Sequence, residues 1–276
     1  MRKTLKMSEF EAFRDYMDPD VYLRLRTNRH LCCTPREGAY LIAFHFCDVK
    51  NPGGKDDKVC VWCSEDEIIF ATDSERCLKL MGEVDENKDG RTQLLDFFSS
   101  MTADDVLELE KFEDRITDLE DEIISNVRVK SDYSAKIVCM RRELLMMKRY
   151  YEQMSLIMSD IADNDDKALP HELRNRFASA DRRMDYLLNF VLHLREYVTQ
   201  VREAYQAQID IEQNQIMKIF TVVTAVFLPL TLIVGWFGMN FSMPEYGWSF
   251  GYPYVIALSL AVCVISIVYF KIKKWF

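Results

Sequence analysis

Residues 219–270 contain no Lys or Arg and a single acid, Glu245. No other stretch of the 276-residue chain is so poor in charge. Two apolar runs fill most of it, Ile219 to Met239 and Tyr252 to Phe270, each about as long as the roughly 20 residues a helix needs to cross a hydrocarbon core. Pro and Gly are missing over another long interval, between Pro170 and Pro229, which removes the usual helix breakers from residues 171–228. The N-terminus, MRKTLKMSEFEAF, has basic residues but no following apolar core, so a secretory signal is not expected there. Histidine is scarce: His30, His45, His171 and His193 form no close pair. There is no phosphate-binding glycine loop and no nucleophile with a neighbouring base, so an enzyme is not expected. Cys60 and Cys63 have metal-knuckle spacing, but a second pair at matching spacing is absent; Cys32 and Cys33 are adjacent instead. In a β-like run such as KVCVWC, Cys reads as a small apolar residue.

What is present divides into an acidic body and a membrane part. The net charge is −9, and from Asn214 onward Lys218, Lys271, Lys273 and Lys274 outweigh Glu245, so residues 1–213 carry −12. Lysines flank both apolar runs on their outer sides, whereas the link Asn240–Gly251 has none. The positive-inside rule then places both termini in the cytoplasm and the link outside. Cytoplasmic cysteines are expected as thiols.

Apolar and β-branched runs at 39–49, 58–63 and 67–72, separated by turns such as Asn51-Pro52-Gly53-Gly54, predict strands of a small α/β region over residues 1–91. Asp85-Glu-Asn-Lys-Asp-Gly90 has the start of a calcium loop, but its twelfth position is Asp96 and its eighth Thr92, which fits a polar turn before a helix. Residues 92–168 read as helical. Leu107, Phe112, Ile116, Leu119 and Ile123 recur at helical spacing, and a second helix is predicted over Ser134–Ala162. Pro170 suits the first turn of a third, whose apolar stripe is Met184, Leu187, Leu188, Val191, Leu194 and Val198. Continued to Met239, residues 169–239 make a helix of about 100 Å. That is a stalk carrying the first span, at about 219–239. The external loop is 240–251, and 252–276 hold the second span and a basic tail.

The polar residues of the first span lie on one seam. Asn214, Met217, Thr221, Thr224, Leu228, Thr231 and Gly235 are separated by alternating steps of three and four. Small and hydroxyl residues also serve to pack helix on helix, and the residues alone leave both readings open. Two helices per chain cannot enclose a water-filled path, so a pore requires several copies with the seam inward. Asn240 repeated would form a ring of amides, and Glu245 an acidic ring at the mouth. Amide oxygens without fixed positive charge suit magnesium, which sheds water reluctantly and is held through its water shell.

Gly238-Met239-Asn240 followed by Met243-Pro244-Glu245, after MKIFTVVTAVFLPLTLIVG and before a KIKKWF tail, resembles the CorA family of divalent-cation channels. The resemblance is specific over 214–276 and architectural over 92–213. It implies an α-helical membrane protein with two transmembrane helices per chain and an N-terminal α/β cytoplasmic domain followed by long helices forming a funnel-like stalk. It further implies a homopentamer in the inner membrane, with influx of magnesium first and of cobalt or nickel after it. Asn240 becomes the selectivity filter, Gly238 and Met239 set its turn, and Met217 with its neighbours, Phe220 and Leu228 among them, forms an apolar constriction. Magnesium is then both the transported and the regulatory ion, and Glu203 matches one carboxylate of the regulatory site. Phe237 and Trp236 depart from the family pattern and keep open a zinc transporter of the ZntB branch, and Phe220, beside the seam, is bulkier than the family's usual aliphatic residue. A membrane-anchored scaffold without transport is the third reading.

Overall fold

The computed structural model describes residues 2–9, 19–20, 22–23, 31–36, 38–54, 57–125, 132–163, 169–239, 247, 249–273 and 275. Five strands, β1 (Arg2–Leu5), β2 (Leu31–Arg36), β3 (Ala39–Phe46), β4 (Asp57–Cys63) and β5 (Ile68–Thr72), form one sheet in the order β1-β5-β4-β3-β2. β1 runs parallel to β5, and the other pairings are antiparallel. The three strands expected from the sequence are the central ones. β1 and β2 were not expected: β1 has four residues, and β2 contains Pro35. Proline lacks a ladder donor and is tolerated at a sheet edge, and Pro35 sits in the edge strand where the register shifts between Cys33 and Arg36.

β3 is buried on both faces. Ala39, Leu41, Ala43, Cys60, Trp62 and Ala71 pack together on one of them. Helices α1 (Glu75–Glu83) and α2 (Gly90–Met101) follow the sheet. Phe97 and Phe98 of α2 meet the sheet's aromatics, with Phe70–Phe97 centroids 4.5 Å apart and Phe44–Phe98 5.8 Å. Gly90 is required where α2 begins: its N–H donates to Glu65 O, and a Cβ there would collide with Ser64 O.

α3 (Asp105–Ser125) and α4 (Asp132–Asp163) come next. α3 buries Phe112, Ile116, Leu119 and Ile123 as predicted, but Leu107 is 53% exposed and Leu109 takes the buried position. The side chain of Gln153, on α4, pairs with the backbone of His45 in both directions, accepting from its N–H at 3.0 Å and donating to its carbonyl at 2.6 Å. α5 (His171–Phe237) is one continuous helix of 67 residues, about 100 Å at 1.5 Å per residue. Pro170 immediately precedes it and accepts the first helical bond, from Arg174 N–H. Met184, Leu187, Val191, Leu194 and Val198 are buried, and Leu188 is half-buried. α6 (Gly251–Ile272) is the last element.

The chain therefore has an N-terminal α/β domain, a long stalk helix and two long apolar helices. It forms two compact units, one holding the described residues up to Glu203 and the other those from Ala204 onward. The part of α5 up to Glu203 belongs to the first unit and the rest to the second. α5 and α6 are both long and apolar enough to cross a membrane.

Candidate ion path and its neighbours

Within the second unit, burial divides the first span into two faces. Val222 is 5% exposed, and Ala225, Val226, Pro229, Leu230, Ile233 and Phe237 are half-buried. These positions form a stripe whose centre lies roughly half a turn around the helix from the Thr seam, at 3.6 residues per turn. α6 has a matching half-buried stripe, Val255, Leu258, Ser259, Val262, Cys263 and Ser266, ending at the buried Phe270. Two spans lying side by side would cover both stripes, and Phe270 is also packed by Tyr269 and Trp275. The seam faces away from that pairing: Asn214, Met217, Thr221, Thr224, Leu228, Thr231 and Gly235 are all exposed in the single chain.

Each seam hydroxyl donates to the carbonyl one turn back. Thr221 Oγ1 bonds Met217 O, Thr224 Oγ1 bonds Phe220 O and Thr231 Oγ1 bonds Phe227 O, all at 2.8 Å. Back-bonding of this kind is ordinary for hydroxyls in spans, and Ser259 does the same toward Val255 O on the covered face of α6. Position is what separates them. With their protons committed to the helix, the exposed Thr oxygens present lone pairs outward, and a row of acceptors suits a cation.

At the end of the span Gly238 N–H bonds Val234 O at 2.9 Å and Met239 N–H bonds Trp236 O. A Cβ on Gly238 would come within 2.8 Å of Val234 O, so glycine allows this close turn. Gly235 has open space where a Cβ would stand. Asn240 and Glu245 lie outside the described residues. Met217, Phe220 and Leu228 are 61%, 64% and 70% exposed. Glu203 is exposed, at the last position of the first unit. Among the described residues no three His, Cys, Asp or Glu side chains come close enough to hold a metal ion.

Two metal motifs weighed in the sequence have other occupations. Cys60 and Cys63 lie three apart on β4 and so point to opposite faces of the sheet; burial pushes both thiols up to about 12. In the Asp85–Asp96 turn, Asp85 accepts from Asn87 N–H and Nδ2, Asp89 caps α2 through Thr92 N–H, and Asp96 pairs with Lys88 and Arg176. A cavity of about 1020 Å³ lies in the first unit, between the end of β3, the turn at Asn51-Pro52 and α4, and contains none of the seam residues.

Among the described residues, sequence reasoning missed two buried charged side chains, Arg91, whose guanidinium donates to Gly38 O, and Asp105. Asp105, the first residue of α3, is 3% exposed and accepts a hydrogen bond from Tyr151 Oη at 2.9 Å. An acid at a helix start normally reads as a solvated dipole partner, so the sequence gives no sign of its burial.

A family profile described as CorA-like Mg2+ transporter protein matches residues 6–274. The cobalt/magnesium transport protein CorA of Thermotoga maritima is 28% identical over 183 residues, 66% of this chain and 52% of that protein. The magnesium transport protein CorA of Wolinella succinogenes is 33% identical over 156 residues, 56% of this chain and 45% of that one. The chain spans about half the length of these curated relatives. Among solved structures, the complete CorA magnesium transporter of Methanocaldococcus jannaschii superposes with a TM-score of 0.82 at 18% identity, over 99% of this chain and 90% of that one. The ZntB cytoplasmic domain of Vibrio parahaemolyticus gives 0.55 at 9% identity, over 73% and 84%. At such identities these two establish the fold alone.

Proposed function

Because the chain belongs to the CorA-like Mg2+ transporter protein family, we propose that several copies assemble around an axis into a channel for magnesium influx. One chain supplies one seam, so the seam must meet its equivalents from other copies to enclose a path; the number five rests on the family resemblance. The observation that carries the reading is the exposed row of Thr oxygens on the face of α5 opposite its covered stripe.

In this arrangement both termini lie in the cytoplasm, by the lysines flanking the two spans. Asn240 selects the hydrated ion and Glu245 raises the local cation concentration at the mouth. Met217, Phe220 and Leu228 narrow the path with apolar rings. Glu203 contributes one carboxylate to an inter-subunit site where cytoplasmic magnesium holds the channel shut, and loss of that ion shifts the population toward the open state.

Flux into liposomes containing the purified protein tests this reading, with magnesium, cobalt and zinc compared under one gradient. Magnesium entry, with cobalt at a comparable rate, is the expected result. Entry of zinc alone would move the chain to the zinc-handling branch. Absence of any flux from a correctly assembled oligomer would leave the scaffold.

A further inference from the structure

Asp105 stands where four segments of the globular unit converge. The α2–α3 turn brings it in, and Tyr151 of α4 donates to its Oδ2. Arg183 of α5 binds the same turn, donating to Thr102 O at 2.8 Å and Ala103 O at 3.2 Å. The neighbouring Asp104 pairs with Lys50 at 3.0 Å, tying the turn to the segment after β3.

The charged and titratable groups facing this point come from every element packed on it. Arg76 of α1 is engaged by Asp48 and lies over the Phe46 ring at 5.7 Å. Arg183 uses its Nη2 on the two turn carbonyls. Tyr150, whose hydroxyl is buried, and Tyr151 face it from α4, with Cys47 and Cys77 close to the tyrosines. Asp104 adds a like charge. Both guanidiniums therefore have other acceptors, and the carboxylate has one hydrogen bond where an ionised buried acid needs several.

We propose that Asp105 is a proton-sensitive tie of the globular unit: protonated, it lets the α2–α3 turn seat firmly on α4; ionised, it leaves an under-compensated buried charge that loosens the junction. Burial, the largest influence, pushes the carboxyl from its usual value of 3.8 to about 6, against the lowering effects of Tyr151, Arg76 and Arg183. A raised folded-state value means that the folded chain binds the proton more tightly than the unfolded one. Its stabilising contribution is complete below about pH 4 and is lost as the pH rises through about 6. Acidification of the cytoplasm thus tightens the unit. The inference concerns folding and does not depend on what the spans conduct.

Thermal unfolding of the full chain in detergent, followed from pH 5 to pH 8, tests it. Asp105→Asn removes the charge and keeps the shape. It should melt about 5 °C or more above the parent at pH 7.5, and that gap should shrink to roughly half at pH 5. Tyr151→Phe removes a bond that favours the ionised form, so in that background the gap should be wider at pH 7.5 and begin to shrink at a higher pH. A gap independent of pH, or an Asn variant less stable than the parent throughout, overturns the proposal. If the Asn variant does not fold, infrared titration of the parent's buried carboxyl decides: a midpoint near 6 supports the tie, and one near 4 rejects it.

Discussion

Asn240→Ala is expected to abolish selective divalent-cation flux at every ionic strength while the protein still assembles. In the proposed channel the amide oxygen would accept hydrogen bonds from the water shell of a hydrated ion without carrying a full charge that would trap it. Magnesium dehydrates reluctantly, so recognition through its water is the route open to a site of this kind. Alanine would remove the oxygen from every copy in the proposed oligomer at once, and magnesium entry should fall by at least tenfold, equivalent to about 1.4 kcal/mol or more at the mouth. Glu245→Gln provides the contrast. Its charge acts at a distance and is screened by salt, so flux should weaken modestly and mainly at low ionic strength. Stopped-flow uptake with an internal magnesium dye distinguishes the two. Parent-like conduction by Asn240→Ala would reject the amide ring as the filter.

The second large effect is expected at the constriction. Met217 and Leu228 are the bulky apolar members of the seam, and Phe220 lies beside it; all three are more than half exposed in the single chain. Rings of such side chains block ions by excluding water. Met217→Ser puts a hydroxyl in place of the thioether on each copy, and Phe220→Ala removes the bulkiest neighbour. Both should raise resting leak by tenfold or more, measured as the initial rate of the dye response at resting internal magnesium. If neither changes resting flux, the barrier lies elsewhere along the helix.

The parts legible from sequence are those with long, regular signals. The apolar runs gave α6 and the end of α5, and the interval free of Pro and Gly gave the continuity of α5. The strand positions at 39–49, 58–63 and 67–72 were readable because each run is apolar and bounded by turns. β1 and β2 escaped because four residues, or a strand containing Pro35, carry too little pattern. Leu107 was misplaced because Leu107 and Leu109 both fit a helical period locally, and only packing against the rest of the unit chose Leu109.

At the candidate site, the seam was visible as spacing, but which face of α5 is covered within the chain was not. That required knowing which residues are covered, and Val222 and Ile233 fall on the side away from the threonines. Asp105 was invisible for the opposite reason. A solvated helix-start acid and a buried one have the same letter in the same place, and only α1, α4 and α5 packing around it decide which it is.

The central claim is that the Thr face of α5 lines a water-filled cation path. Cysteine scanning in proteoliposomes tests it most directly, with Thr224→Cys on the seam compared with Val226→Cys on the covered stripe. A small, positively charged methanethiosulfonate reagent should label Cys at 224 quickly and stop magnesium entry, external magnesium should slow the labelling, and Cys at 226 should stay unlabelled with flux unchanged. Rapid labelling at 226 with an inert or freely conducting 224 variant would contradict the account.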